Sequence, residues 1–130
     1  MPAKILSVDD SCSIRSIVGA ALFPYDCTLC EAANGREGLA VARREKPDLI
    51  ILDVSMPVMD GITMLARLKE DPGLNTIPVL MLTAVSDHNN VVHITRLGAR
   101  DYLVKPFREA RLVEKVGRLV SLRAKNAPDG

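Results

Sequence analysis

The stretch DLIILDVSMPVMDG, residues 48–61, places an aspartate at the point where an unbroken apolar run ends. A short apolar run bounded by polar and turn-forming residues is typical of a strand that is buried on both faces of a parallel sheet. The ligand site of an open parallel sheet lies beyond the carboxyl ends of its strands. Asp53 therefore marks a candidate functional site.

Strand-like runs alternate with helix-period segments along the whole chain, which predicts an α/β fold around a parallel sheet. The predicted strands cover residues 4–8, 27–32, 48–52, 79–82 and 102–104. The predicted helices cover residues 11–22, 34–45, 63–70, 87–97 and 108–123. Asn34 is the expected N-cap of the second helix, and Gly98 the expected left-handed residue after the fourth.

The composition bounds the class of protein. With 130 residues and 48% hydrophobic content, the chain is long enough for one domain with one substantial core. Lys and Arg number 17 and Asp and Glu 16, so the overall charge does not favour direct nucleic-acid binding. No signal-peptide pattern or membrane-length apolar run is present, and we expect a cytoplasmic protein without a membrane partner.

The cysteine spacing Cys27-Thr-Leu-Cys30 is compatible with a redox or zinc site. However, residues three apart on a strand point to opposite faces, so these two thiols are not expected to converge. Buried structural cysteines are the favoured interpretation.

Polar side chains follow several predicted strands at their carboxyl ends: Asp9 and Asp10 the first strand, Asp53 the third, Thr83 the fourth and Lys105 the fifth. Two carboxylates about 4 Å apart repel by about 4 kcal/mol at an effective dielectric near 20, so a positive charge must offset them. Mg²⁺ prefers such oxygen ligands and keeps water sites for phosphate oxygens. The set of groups favours phosphoryl transfer.

Each of these residues also has a simpler interpretation when it is taken alone. Asp9 or Asp10 alone is better interpreted as a cap of the helix that begins at Ser11. Thr83 alone would be an ordinary strand residue and Lys105 a solvated lysine. Their joint placement at one edge of the sheet favours a site.

The motifs ILSVDDS, DLIILDVSMPVMDG, IPVLMLTA and GARDYLVKPF occur in this order, and the chain resembles a response-regulator receiver domain of the single-domain chemotaxis-Y type over residues 4–121. The resemblance implies a flavodoxin-like (βα)5 fold with strand order 2-1-3-4-5. It implies a receiver domain over residues 1–121, while residues 122–130, which lack an apolar period, are expected to form a disordered tail or the start of a linker.

The resemblance also implies a metal site and a phosphoacceptor. Asp53 would accept a phosphoryl group from a histidine kinase or phosphotransfer protein. Asp9, Asp10, Asp53 and the backbone carbonyl of Ser55 would hold Mg²⁺.

Five further expectations follow from the same resemblance. Thr83 and Lys105 would bind phosphoryl oxygens, and the Lys105-Pro106 bond would be cis. Tyr102 would be the switch aromatic that turns inward with Thr83. No separate substrate turnover is expected. A downstream effector or a second receiver would bind the face formed by the fourth helix, fifth strand and fifth helix.

The fifth helix carries a basic stripe, which could meet an acidic partner but is by default a solvated face: Arg108, Arg111, Lys115 and Arg118.

Three alternative functions remain open at this point. A haloacid-dehalogenase-like phosphohydrolase needs a second acid two residues after its nucleophile, where this chain has Ser55, and its nucleophile follows the first strand. A nucleotide-binding module needs glycine after the first strand, where this chain has Asp9 and Asp10. A receiver excised from a transcription factor, hybrid kinase or cyclic-dinucleotide enzyme keeps the same fold and site.

Overall fold

The fold is a five-stranded parallel sheet with the strand order β2-β1-β3-β4-β5, as predicted. The computed structural model describes residues 2–84 and 88–125, with the backbone alone for 88–90. The strands are β1 (Ala3–Val8), β2 (Cys27–Ala32), β3 (Leu49–Asp53), β4 (Val79–Ala84) and β5 (Asp101–Lys105). The helices are α1 (Cys12–Leu22), α2 (Gly35–Glu45), α3 (Gly61–Glu70), α4 (His88–Arg96) and α5 (Glu109–Leu119).

The helices cover both faces of the sheet, which explains why every residue of β3 before Asp53 is apolar. One core contains residues of α2, α3 and α4, and the other contains residues of α1 and α5. All five residues of β3 are buried. Cys30 packs on the first core and Cys27 on the second, which confirms that the two thiols face apart.

Helix starts follow the expected capping chemistry, with one correction. The Asn34 side chain accepts a hydrogen bond from Glu37 N at 2.9 Å, as predicted. The third helix begins at Gly61, two residues before the predicted start, because the Asp60 side chain caps it by accepting a bond from Thr63 N at 2.8 Å. Gly98 has φ 99°, which confirms the left-handed conformation after α4. The predicted first residue of that helix, Asp87, lies outside the described residues.

The predicted end of the fifth helix at residue 123 is wrong, because α5 ends at Leu119 and Val120 is extended. The chain then pairs with the segment between α1 and β2. Asp26 N donates to the Arg123 carbonyl at 2.7 Å, and Tyr25 and Ala124 form an antiparallel bridge. Residues 123–125, placed in a tail by the sequence analysis, thus pair with the domain, and Leu122 packs against its second core, while residues 126–130 lie outside the described part.

Within the described residues, no helix combines the length and the apolar content that a membrane crossing requires.

Candidate functional site

Strand register brings the predicted site residues to one edge of the sheet. Val8 pairs with Leu52 on the neighbouring strand. Asp9 and Asp53 are the next residues after this pair, so they lie side by side at the edge of the sheet. The order reverses between β1 and β3, which is where open α/β sheets form their ligand crevice. On the other side of β3, Asp53 pairs with Leu82, one residue before Thr83.

An ammonium joins two of the acids. The Lys105 Nζ donates to Asp53 Oδ1 at 2.9 Å and to Asp9 Oδ2 at 3.1 Å. Lys105 ends β5, and the peptide bond to Pro106 that follows it is cis, as the sequence resemblance implied. Asp9 and Asp53 are buried, with 1% and 6% of their surface exposed, so their charges are only weakly screened by water.

The electrostatics of this acidic pocket, defined by Asp9, Asp10 and Asp53, favour a bound cation. Burial raises the pKa of Asp53; the Lys105 hydrogen bond opposes this rise, and repulsion by Asp9 and Asp10 adds to it. Burial by itself would lower the pKa of Lys105, but its bonds to Asp53 and Asp9 outweigh that effect and the pKa is raised.

The donor set of the acidic pocket fits a hard divalent cation. One carboxylate oxygen from each acid lies within 4.8 Å of the other two. Three carboxylates face one ammonium, so two negative charges have no counter-charge among these four groups. Oxygen ligands and this charge suit Mg²⁺. The part of the Ser55 carbonyl in such a site stays a prediction.

Asp9 does not cap α1, contrary to the simpler interpretation of its position, and neither does Asp10. The N-cap is Ser11, whose Oγ accepts a bond from Ile14 N at 3.2 Å. Asp9 instead uses Oδ1 to accept from Ser11 N at 2.9 Å, while its other oxygen binds Lys105. Asp10 is exposed, at the mouth of the pocket.

Arg15 is a contact of the pocket that sequence reasoning missed. Its Nη1 donates to the Asp9 carbonyl at 2.5 Å, and its Nε donates to Glu31 Oε1 at 3.2 Å. The sequence indicated this contact only through the position of Arg15, which lies one turn into a helix that starts beside Asp9 and Asp10. Arg15 therefore holds the backbone that presents Asp9.

The loop after Asp53 is fixed by backbone contacts. Gly61 N donates to the Val54 carbonyl at 2.8 Å, which ties the start of α3 to the end of β3. Met59 N donates to the Pro57 carbonyl at 2.7 Å around Val58, whose φ is 69°. A positive φ at a β-branched residue is strained, and such strain concentrates at functional sites.

The two predicted switch residues lie on the same face of neighbouring strands. Thr83 is buried, and its hydroxyl donates a long 3.5 Å bond to the Ala84 carbonyl. Tyr102 pairs with Met81, two residues before Thr83, and its side chain is 37% exposed. The ring of Tyr102 is therefore turned outward in this structure.

The basic stripe on α5 is partly neutralised, because two acids pair with three of its four cations. Arg111 and Arg118 both donate to Glu114 Oε1, at 2.8 and 2.6 Å. Lys115 donates to Asp101 Oδ1 at 3.0 Å. These pairings weaken the prediction that the whole stripe attracts an acidic partner.

Comparison with known proteins identifies a matching family over most of the chain. The family description "Response regulator receiver domain" matches residues 5–117. Protein PilH of Pseudomonas aeruginosa is 35% identical over 119 residues, which cover 92% of this chain and 98% of PilH. The structure of the chemotaxis response regulator CheY4 of Vibrio cholerae superposes with a TM-score of 0.86 at 37% identity, covering 92% of this chain and 100% of that one.

Other relatives are longer than this chain. The "Probable transcriptional regulator ycf27" of Porphyridium aerugineum is 38% identical over 113 residues, and the chain spans 46% of its length.

Proposed function

The chain belongs to the response regulator receiver domain family, and from this premise we propose that it accepts a phosphoryl group on Asp53 from a phosphohistidine. The donor is a sensor histidine kinase or a phosphotransfer protein of a two-component pathway. The observation that carries the proposal is the Lys105 ammonium, 2.9 Å from Asp53 Oδ1 and 3.1 Å from Asp9 Oδ2. This contact supports the proposal, because the carboxylate that would attack and a fixed positive charge lie together in the acidic pocket.

The transfer exchanges one bond to phosphorus for another. An oxygen of the Asp53 carboxylate forms the new O–P bond while the N–P bond of the phosphohistidine breaks. The leaving nitrogen keeps the electron pair of the broken bond, and a proton already on the other ring nitrogen lets the imidazole leave neutral. Lys105 and Thr83 then donate to the phosphoryl oxygens, which replaces the present bond from Lys105 to Asp53.

Asp9, Asp10 and Asp53 would hold Mg²⁺, which supplies positive charge to the transferring phosphoryl group. Asp9 is oriented for this role by Ser11 and by the Arg15 contact to its carbonyl. Asp10 is exposed and reaches the pocket from the solvent side.

We propose that the output surface is the face formed by α4, β5 and α5, where a downstream effector or a second receiver binds. A groove of about 650 Å³ runs along β5 and the start of α5 on this face. The outward ring of Tyr102 lines the groove together with Phe107 and Lys115. Turning the ring inward would change the shape of the groove, which gives the phosphorylated state a distinct surface.

The phosphodonor test compares three proteins treated with acetyl phosphate and Mg²⁺ and analysed by intact-mass spectrometry. Asp53→Asn removes the nucleophilic charge and keeps the side-chain shape, so this variant should form no phosphoryl adduct and keep the fold, with a stability no lower than that of the wild type. The matched control is Asp26→Asn, an exposed acid just before β2, at the opposite edge of the sheet. Wild type and the control should both gain one adduct. An adduct on Asp53→Asn, or none on the wild type, contradicts the proposal.

An enzyme of the aspartyl phosphohydrolase type finds no support in the site. Ser55, where that mechanism needs an acid, is exposed, and the nucleophile ends β3. The same receiver site also serves as part of longer regulators, as the 46% coverage of the ycf27 relative illustrates. We therefore propose phosphorylation-dependent signalling without turnover of a separate substrate.

A further inference from the structure

Lys115 is the most buried lysine among the described residues, with 9% of its surface exposed. Its Nζ donates to Asp101 Oδ1 at 3.0 Å and lies 5.5 Å from the centre of the Tyr102 ring. A buried ammonium is costly unless partners compensate it. Here the compensation comes from one acid and one aromatic face.

The other cations of α5 behave differently. Arg111 and Arg118 are exposed and share Glu114 on their own helix. Lys115 alone among these three turns toward the edge of the sheet. Asp101 accepts bonds from both Lys115 Nζ and Tyr102 N, so it fixes the ammonium beside the residue that carries the ring.

The pKa of Asp101 is consistent with this arrangement. Burial by itself would raise it, but the bonds from Lys115 and from Tyr102 N lower it below its ordinary value. Asp101 thus stays ionised and keeps its attraction for Lys115 through the neutral pH range.

We propose that Lys115 is a positioning residue that holds the Tyr102 ring outward in the unphosphorylated protein. This inference rests on the proposed function, in which inward rotation of the ring reports phosphorylation. The ammonium lies beside the ring in its present position, and inward rotation would carry the ring away from it, so the contact favours the outward state. Cation–π contacts of this partly exposed kind correspond to about a two- to fivefold change in the population ratio.

The test uses ring contacts in the absence of any phosphodonor. The chain has 2 tyrosines, so a sample with labelled tyrosine rings gives a simple NMR spectrum in which Tyr25 is the internal reference. The nuclear Overhauser effect between the Tyr102 ring and the Thr83 methyl group measures the inward population. Lys115→Met keeps the apolar stem without the charge, and Lys115→Arg keeps the charge. Arg118→Met removes an exposed charge from the same helix.

Lys115→Met should raise the inward population about two- to fivefold, while Lys115→Arg and Arg118→Met stay near the wild type. An unchanged population in Lys115→Met, or an equal rise in Arg118→Met, overturns the proposal. Should Lys115→Met fail to fold, Asp101→Asn provides the second measurement, because its amide oxygen can still accept from Tyr102 N but no longer anchors the ammonium by charge. It must raise the inward population for the proposal to stand.

These outcomes do not depend on phosphorylation. A wild type that takes no phosphoryl group at Asp53 would overturn the proposed function, yet the ring populations without a donor would still report whether Lys115 holds Tyr102. The two failures are therefore distinguishable.

Discussion

Replacement of Gly61 by alanine should damage both the fold and the acidic pocket, because no space exists for a side chain there. A Cβ at this position would lie 1.9 Å from the Asp53 carbonyl oxygen, 2.8 Å from the Asp53 carbonyl carbon and 3.0 Å from Val54 Cα. All three atoms belong to the backbone, so no side chain can rotate away. Either the start of α3 or the end of β3 must move.

The size of the movement follows from the same distances. Ordinary contact begins at 3.4 Å, so the first of these pairs must separate by about 1.5 Å. That separation would break the 2.8 Å bond from Gly61 N to the Val54 carbonyl. Overpacking costs about 1–3 kcal/mol and a lost hydrogen bond about 0.5–1.5 kcal/mol. We expect a loss of about 2–4 kcal/mol, less than the roughly 5–15 kcal/mol stability of a typical domain.

The assay is urea unfolding followed by circular dichroism, together with the rate of adduct formation from acetyl phosphate. Gly117→Ala is the matched control: nothing lies within 4 Å of a Cβ at this α5 position, so it should stabilise by about 0.5–1 kcal/mol. Displacing Asp53 by about 1 Å should slow phosphorylation on the order of a hundredfold in Gly61→Ala, and Gly117→Ala should keep the wild-type rate. Equal stability of Gly61→Ala and wild type would refute the reasoning.

Three further outcomes are expected. Mg²⁺ titration should perturb amide shifts in NMR spectra around the ends of β1 and β3, and perturbations centred elsewhere would show that the metal site is misplaced. Thr83→Ala should still accept a phosphoryl group at Asp53, but beryllofluoride should shift α4 and β5 less than in the wild type, because a charge-assisted hydrogen bond of about 1.5–3 kcal/mol is lost; full remote shifts would exclude Thr83 as the coupling residue. Because the pKa of Asp101 is lowered in the folded state, its ion pair should stabilise the protein above the ordinary pKa of an aspartate, and that contribution should disappear as the pH falls through the lowered value. The difference in unfolding free energy between wild type and Asp101→Asn should therefore shrink in acid, and a difference that is constant with pH would contradict the assignment.

Strand identity and the site could be predicted because both depend on local patterns. An apolar run that ends in a carboxylate gives the strand and its functional end together, as β3 and Asp53 show. The parallel arrangement then brings the ends of β1 and β4 to the same edge without further information.

Features that depend on long-range contacts could not be predicted. The helical pattern of α5 continues past Leu119, but pairing of residues 123–125 with the segment before β2 outweighs it. The burial of Lys115 depends on Asp101, on a different element, and the pattern of charges on α5 alone indicated only an exposed stripe. Arg15 likewise contacts a backbone carbonyl. Every residue has such a carbonyl, so this contact cannot be predicted from the types of residues in the sequence.

In the proposed switch, two side chains would act on the Tyr102 ring from different places, Thr83 and Lys115. Lys105 is three residues from Tyr102 on β5, so its side chain faces the opposite side of the sheet. It is therefore poorly placed to act directly on the ring. Thr83 shares the ring's face on the neighbouring strand, and Lys115 contacts the ring from α5. In the proposed switch, Thr83 would therefore stabilise the inward state and Lys115 the outward state.

Two residues that stabilise opposite states of one equilibrium should have additive effects on the logarithm of its population ratio. With beryllofluoride bound, Thr83→Ala should lower the inward population of the Tyr102 ring and Lys115→Met should raise it. The double variant should lie at the sum of the two changes, as measured by the NMR chemical shifts of the labelled Tyr102 ring, because Thr83→Ala removes the methyl group whose contact with the ring is used in the other proteins. A coupling larger than about 0.5 kcal/mol would mean that the two side chains do not act on separate states, and the assignment of one residue to each state would have to be abandoned.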